Sequence, residues 1–179
     1  MKKKIVALCL CVALLAVAIA GASLAYFTDK TGSLTNTFTV GKVAIKLDET
    51  TGENYHVVPG TEIAKDPKVT VEANSEASYV FVKVEESQDF AALAEKLTYG
   101  MAEGWTELDN VDGVYYRVVN KSENNQVFPV LANNKVTVSD KLTQDDLDKK
   151  TSITLTFTAY AIQAEGFDTP AAAWAEVNK

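Results

Sequence analysis

Thr151-Ser152-Ile153-Thr154-Leu155-Thr156-Phe157-Thr158-Ala159-Tyr160-Ala161-Ile162-Gln163 is the stretch that decides the fold class. Ile153, Leu155, Phe157, Ala159 and Ala161 take every second position, with Thr154, Thr156, Thr158, Tyr160 and Ile162 between them. A period of two puts each set on its own side of an extended backbone. Such regular alternation predicts a long strand with one buried face and one more exposed face.

The same alternation recurs upstream. Residues 68–73 place Val69, Val71 and Ala73 on one side, and residues 79–85 place Val80, Val82 and Val84 likewise. Asn74-Ser75-Glu76 between them reads as a turn, so the two are expected to form an antiparallel pair. Residues 105–108 and 113–120 read as strands joined through Asp109-Asn110-Val111-Asp112-Gly113, with Val114, Tyr116 and Val118 on one face. Residues 126–131 and 135–138 are shorter strands flanking Asn133-Asn134. In residues 38–47, Phe38 and Val40 share one parity while Val43, Ile45 and Leu47 share the other. A one-residue offset reunites them, which predicts a β-bulge or sharp bend at Gly41-Lys42. The polar run after it ends in the turn signal Pro59-Gly60.

Helical signals are few. Phe90, Leu93, Ala94 and Leu97 fall at helix spacing over residues 89–96, with Ser87 or Asp89 as cap. Residues 144–149 predict one helical turn. Thr169 followed by Pro170 opens a short final helix with Ala171, Trp174 and Val177 as its apolar face. Seven to nine short strands, few helices and Gly/Asn/Asp turns predict a mainly β, antiparallel sandwich. No 20–50-residue repeat or low-complexity linker divides it.

The amino-terminal end has a different character. Lys2-Lys3-Lys4 precedes a run without charge from Ile5 to Phe27, rich in Leu, Val, Ala and Ile up to Ala20. Ser23-Leu24-Ala25 then sets small residues at the positions that a signal peptidase requires. Residues 1–25 read as an export signal, and the mature chain begins at Tyr26. A transmembrane anchor is the competing reading. It is disfavoured because the run weakens into Gly, Ala and Ser and no positive cluster follows. Cys9 and Cys11 lie at the start of the apolar stretch, not after it, which argues against a lipoprotein.

Export removes both cysteines, and with them disulfides, thiol chemistry and cysteine metal sites. The mature domain must rely on its core. At this length it is large enough to bury about 70% of its unfolded surface. Loss of three lysines leaves 14 basic residues against 24 acidic ones, a net charge of −10. Such a surface repels nucleic acid and anionic membranes, so the membrane is a partner only through the signal before cleavage.

No chemistry stands out. His56 is the single histidine and lacks the spacing of a zinc site. It has the composition to serve as the base of a Ser-His-Asp triad, but no Gly-x-Ser-x-Gly motif exposes a nucleophile. Glycine-rich phosphate loops are absent. Asp48-Glu49, Glu85-Glu86 and Asp145-Asp146-Asp148 read as solvated acidic surface, without the glycine-centred ligand pattern of an EF-hand. The expectation is a protein with no catalytic residues, metal or cofactor. Tyr115, Tyr160 and Trp105 are aromatics that an adhesin would use, with core packing as the alternative job.

Tyr26-Phe27-Thr28-Asp29 directly follows the cleavage site. Asn36-Thr37-Phe38-Thr39-Val40-Gly41, Val43-Ala44-Ile45-Lys46-Leu47 and the closing Ala159-Tyr160-Ala161-Ile162-Gln163-Ala164-Glu165-Gly166-Phe167 come later. Together they resemble the TasA/camelysin family of Gram-positive bacteria, whose signal is cut by the dedicated peptidase SipW. The resemblance covers both ends of the chain, and the middle is only generically similar. It implies a jelly-roll sandwich at the cell surface or in the biofilm matrix, assembling into fibres with itself and with other matrix proteins. It further implies that residues 26–37, with Tyr26, Phe27, Leu34 and the adjoining Phe38, serve as a donor strand, leaving residues 38–179 as the sandwich. An extended segment freed by cleavage has the chemistry to pair with an open sheet edge. Camelysin is described as a surface metallopeptidase. That activity finds no matching ligands here and is the alternative implied by the resemblance, as is a surface adhesin.

Overall fold

The structure, a computed structural model, describes residues 41–52, 55–148 and 150–179. Alternating valines build its centre. β3 (Lys68–Val71) buries Val69 and Val71, and β4 (Ser78–Glu86) buries Val80, Val82 and Val84. β3 is flanked by β1 (Ile45–Asp48) and β8 (Gln126–Pro129). β4 is central in a second sheet of order β10-β4-β7-β6, with β6 (Thr106–Glu107), β7 (Val114–Val119) and β10 (Leu155–Gln163). All pairings are antiparallel. The two sheets pack face to face over the valines of β3 and β4, together with Trp105, Val119 and Val130.

β3 and β4 are therefore not the antiparallel pair that their spacing suggests. Both strands carry fully buried valines, and two such faces are covered by packing sheet on sheet, not by lying side by side. Asn74, in the left-handed region at φ 62, turns the chain from one sheet to the other. Ser75 Oγ accepts the Ala44 N–H at 3.2 Å, and Lys42 O accepts from Glu76 N at 3.0 Å. The Ala44 N–H is taken by a side chain while Ala44 O still accepts from Glu72 N at 2.9 Å, and among the described residues the strand is regular from Ile45.

A third, smaller sheet has the order β2-β9-β5, with β2 (Glu62–Ala64), β5 (Leu97–Thr98) and β9 (Lys135–Val138). It covers a second core of Phe90, Leu93, Leu97, Leu131, Val136, Val138 and Leu142. α1 (Gln88–Ala91) contributes Phe90 and is capped by Ser87, whose Oγ accepts from Phe90 N at 3.1 Å. The helix is shorter than residues 89–96, because the chain continues in turns that still bury Leu93 and Leu97 and leave Ala94 exposed. α2 (Gln144–Leu147) is the expected single turn.

The outer face of the four-stranded sheet is covered by α3 (Pro170–Val177), capped by the Thr169 hydroxyl on Ala172 N at 3.2 Å. Trp174 packs on Phe81 and edge-on against Tyr160, both at 5.2 Å between ring centroids. Ala173, not Ala171, is the buried alanine. Alternation predicts one buried and one more exposed face for β10; this helix covers the second, so that both faces are largely half-buried. It also leaves Val118 uncovered at 58% exposure, although Val114 on the same face is buried.

Candidate functional site

The two margins of the sandwich differ. At one, Arg117 of β7 lies between Trp105 and Phe128, its guanidinium 5.1 Å and 3.9 Å from the two ring centroids. Trp105 Nε1 donates to Pro129 O at 2.7 Å. Burial lowers the Arg117 pKa, yet the stem and flat guanidinium close the gap between β7 and β8.

At the other margin, β10 pairs only with β4 among the described residues. Ala164 N donates to Ala77 O at 2.7 Å and Ser87 N to Thr154 O at 3.0 Å, both across the register that pairs Leu155 with Glu86 and Gln163 with Ser78. In an antiparallel ladder, hydrogen-bonded pairs alternate. The even-numbered residues therefore bond to β4. Leu155, Phe157, Ala159, Ala161 and Gln163 turn their N–H and C=O groups away from the sheet. This edge is nine residues long and carries no charged side chain. Natural edge strands are commonly kept short or protected by charge or proline.

Beneath the first residues of this edge opens a cleft of about 760 Å³. Its walls come from all three sheets: Leu47, Ile63, Leu97, Val136, Leu155 and Phe157 are the main apolar contributors. One end is polar. Lys65, 8% exposed, holds Glu49 with Nζ to the two carboxylate oxygens at 3.0 and 2.9 Å. Tyr55 donates to Glu49 Oε1 at 2.6 Å and Thr51 Oγ1 does so at 2.9 Å. The Lys65 ammonium also lies 5.1 Å from the Tyr55 ring centroid and 5.5 Å from that of Phe157. Burial alone would raise the Glu49 pKa. The hydrogen bonds from Tyr55, Lys65 and Thr51 outweigh it, and the carboxyl sits below its ordinary range. Burial and the bond to Glu49 push the Tyr55 phenol up.

A second carboxylate fixes the same loop. Asp66 accepts from Thr50 Oγ1 at 2.5 Å, Thr50 N at 2.8 Å and Thr51 N at 3.0 Å. These bonds hold its pKa well below the usual carboxylate range, the Thr50 hydroxyl first.

Of the residues singled out from sequence, Ser23, Ala25, Tyr26, Phe27, Leu34 and Phe38 lie outside the described residues. Gly41 stands in unpaired backbone before β1. The bulge expected at Gly41-Lys42 needs pairing on both sides, and Phe38 and Val40 are outside the described residues. Gly41 is instead a point of close approach: a Cβ there would meet Glu76 Cγ at 2.9 Å and Gln163 Oε1 at 3.1 Å. His56 is exposed. Among the described residues, no three His, Cys, Asp or Glu side chains gather as a metal site, and no helix is long and apolar enough to cross a membrane. Asp146 pairs with Lys96 at 2.5 Å. Trp105 is buried, Tyr160 packs on Trp174 and Tyr115 packs against the core.

Glu49, Tyr55 and Lys65 form a cluster that no pattern in the sequence marks. Lys65 sits in a polar run with no local pattern marking it for burial. No protein-family model, no curated protein and no solved structure matches this chain. The fold and this margin define a mainly β sandwich whose longest edge strand, β10, is paired on one side only among the described residues and lies above an apolar cleft.

Proposed function

We propose that the protein is an exported structural component of the cell surface or extracellular matrix that assembles with itself by strand addition. The observation that carries this reading is the uncharged, nine-residue edge of β10, which lacks a partner among the described residues. Five residues there offer donors and acceptors in the pattern that an incoming strand requires. In this reading a SipW-like signal peptidase cuts after Ala25, and residues 26–37 of one copy lie along β10 of the next. A head-to-tail contact of this kind does not close, and it extends into a fibre. The resemblance of the amino-terminal motifs to the TasA/camelysin family supports the same reading, including its jelly-roll topology.

The test uses two purified chains. Residues 26–179 are expected to form filaments visible by electron microscopy, and residues 38–179 to stay monomeric and folded. If both remain monomeric across protein concentration and pH, strand donation is wrong.

A further inference from the structure

We propose that the cleft receives the amino-terminal Tyr26-Phe27 pair of a second copy, its rings on the apolar walls and its terminal ammonium facing Asp48 and Glu49. This rests on strand addition at β10 and specifies where the incoming strand ends.

Four observations converge. Leu155 and Phe157 both line the cleft and carry free backbone groups, so the cleft and the open edge form one continuous surface. A strand added along β10 passes the cleft mouth. Its size is the second point: about 760 Å³ is room for several side chains and lies in the range of ligand pockets. Adjacent side chains of an extended segment point to opposite sides, and a cleft walled by all three sheets offers an apolar surface to each ring.

The third point is length. Twelve residues in extended form, 26–37, reach about 40 Å, whereas a nine-residue strand such as β10 spans about 30 Å. The segment covers the edge with its tip to spare. The fourth is charge. The charged residues of the lining are Asp48, Glu49 and Lys65, a balance of one negative charge; Glu49 is paired with Lys65, and Asp48 is exposed on β1 with Lys68 opposite it in the register. The new α-amino group at Tyr26 complements that balance. That group exists only after cleavage behind Ala25, so the cut creates the ligand as well as freeing the strand.

The mature chain contains no cysteine, which permits single-cysteine reporters. Residues 26–179 carrying Phe27→Cys are mixed with copies carrying Val57→Cys, a cleft-lining position, and oxidised during assembly. A second pair, Thr28→Cys with Ile153→Cys, keeps both aromatics. The expected result is a disulfide-linked heterodimer on a non-reducing gel for each pair, and loss of that band when Val118→Cys on the far face replaces the cleft cysteine. Filaments that form without either crosslink overturn the cleft assignment and leave strand addition standing. Absence of filaments from the unsubstituted chain overturns both. A crosslink that forms only within single chains carrying both cysteines assigns the cleft to the chain's own terminus, and overturns the second copy as occupant.

Discussion

Two adjacent proline substitutions in β10 separate the strand's two edges. Ala159 points its N–H away from β4, and Thr158 directs its own to β4 opposite Lys83. Proline removes one donor and fixes φ near −65°. In Ala159→Pro the lost donor has no partner within the sheet, and an edge strand is where proline is tolerated. The cost is expected to stay below about 1 kcal/mol. In Thr158→Pro a ladder bond is lost and the ring crowds the neighbouring strand, at about 3 kcal/mol. For a domain of this size, each kcal/mol moves the melting temperature by about 3–4 °C. Far-UV circular dichroism should therefore find Ala159→Pro within about 4 °C of the parent and Thr158→Pro about 10 °C lower. Sedimentation of residues 26–179 should show filaments lost in Ala159→Pro despite its intact fold. Parent-like filament yield in that variant would refute the outer edge of β10 as the acceptor. Equal destabilisation by the two prolines would refute the assignment of alternating bonds.

Trp174→Ala removes the side chain that covers Phe81 and Tyr160; thermal melting should report a loss of about 3–5 kcal/mol. Gly113→Ala combines φ 70 with a Cβ only 2.6 Å from Val84 O, a backbone atom that has little room to yield. Chemical denaturation should show a loss of at least about 1–2 kcal/mol, and a neutral result would mean that the hairpin relaxes freely. Asp66, Asp146 and Asp89 all have pKa values lowered in the fold, chiefly by the Thr50 hydroxyl, Lys96 and the Ser152 backbone N–H respectively. Near pH 4 the folded state then binds fewer protons than the unfolded one. Stability should be full above about pH 5 and fall as the pH drops toward the folded values. Asp66→Asn should make that fall shallower in melts between pH 3 and 7.

Strict alternation made β3, β4, β7 and β10 legible, because a period of two survives any tertiary context. It states which side chains share a face and is silent on which strand lies alongside: the spacing of β3 and β4 suggests a pair, and the two sit in opposed sheets. β2 and β5 are three and two residues long, too short to carry a period. The spacing of Phe90, Leu93 and Leu97 is met by one helical turn followed by tighter turns, so it overstates the helix. The cleft was not legible at all. Its lining runs from Leu47 to Phe157. Lys65 is buried by Glu49, Tyr55 and Phe157 acting together, three residues with no common local signature.

The arginine wedged between Trp105 and Phe128 bears on the valence that strand addition would give each copy. With that margin shut, the other edge strands among the described residues are two to four residues long, and β8 ends in Pro129. In the proposed assembly, one long acceptor and one donor per copy would give a valence of two. Polymers of such units lengthen without branching. Strand addition alone would therefore give threads, not gels, and a cohesive film would need a separate component to tie one thread to another.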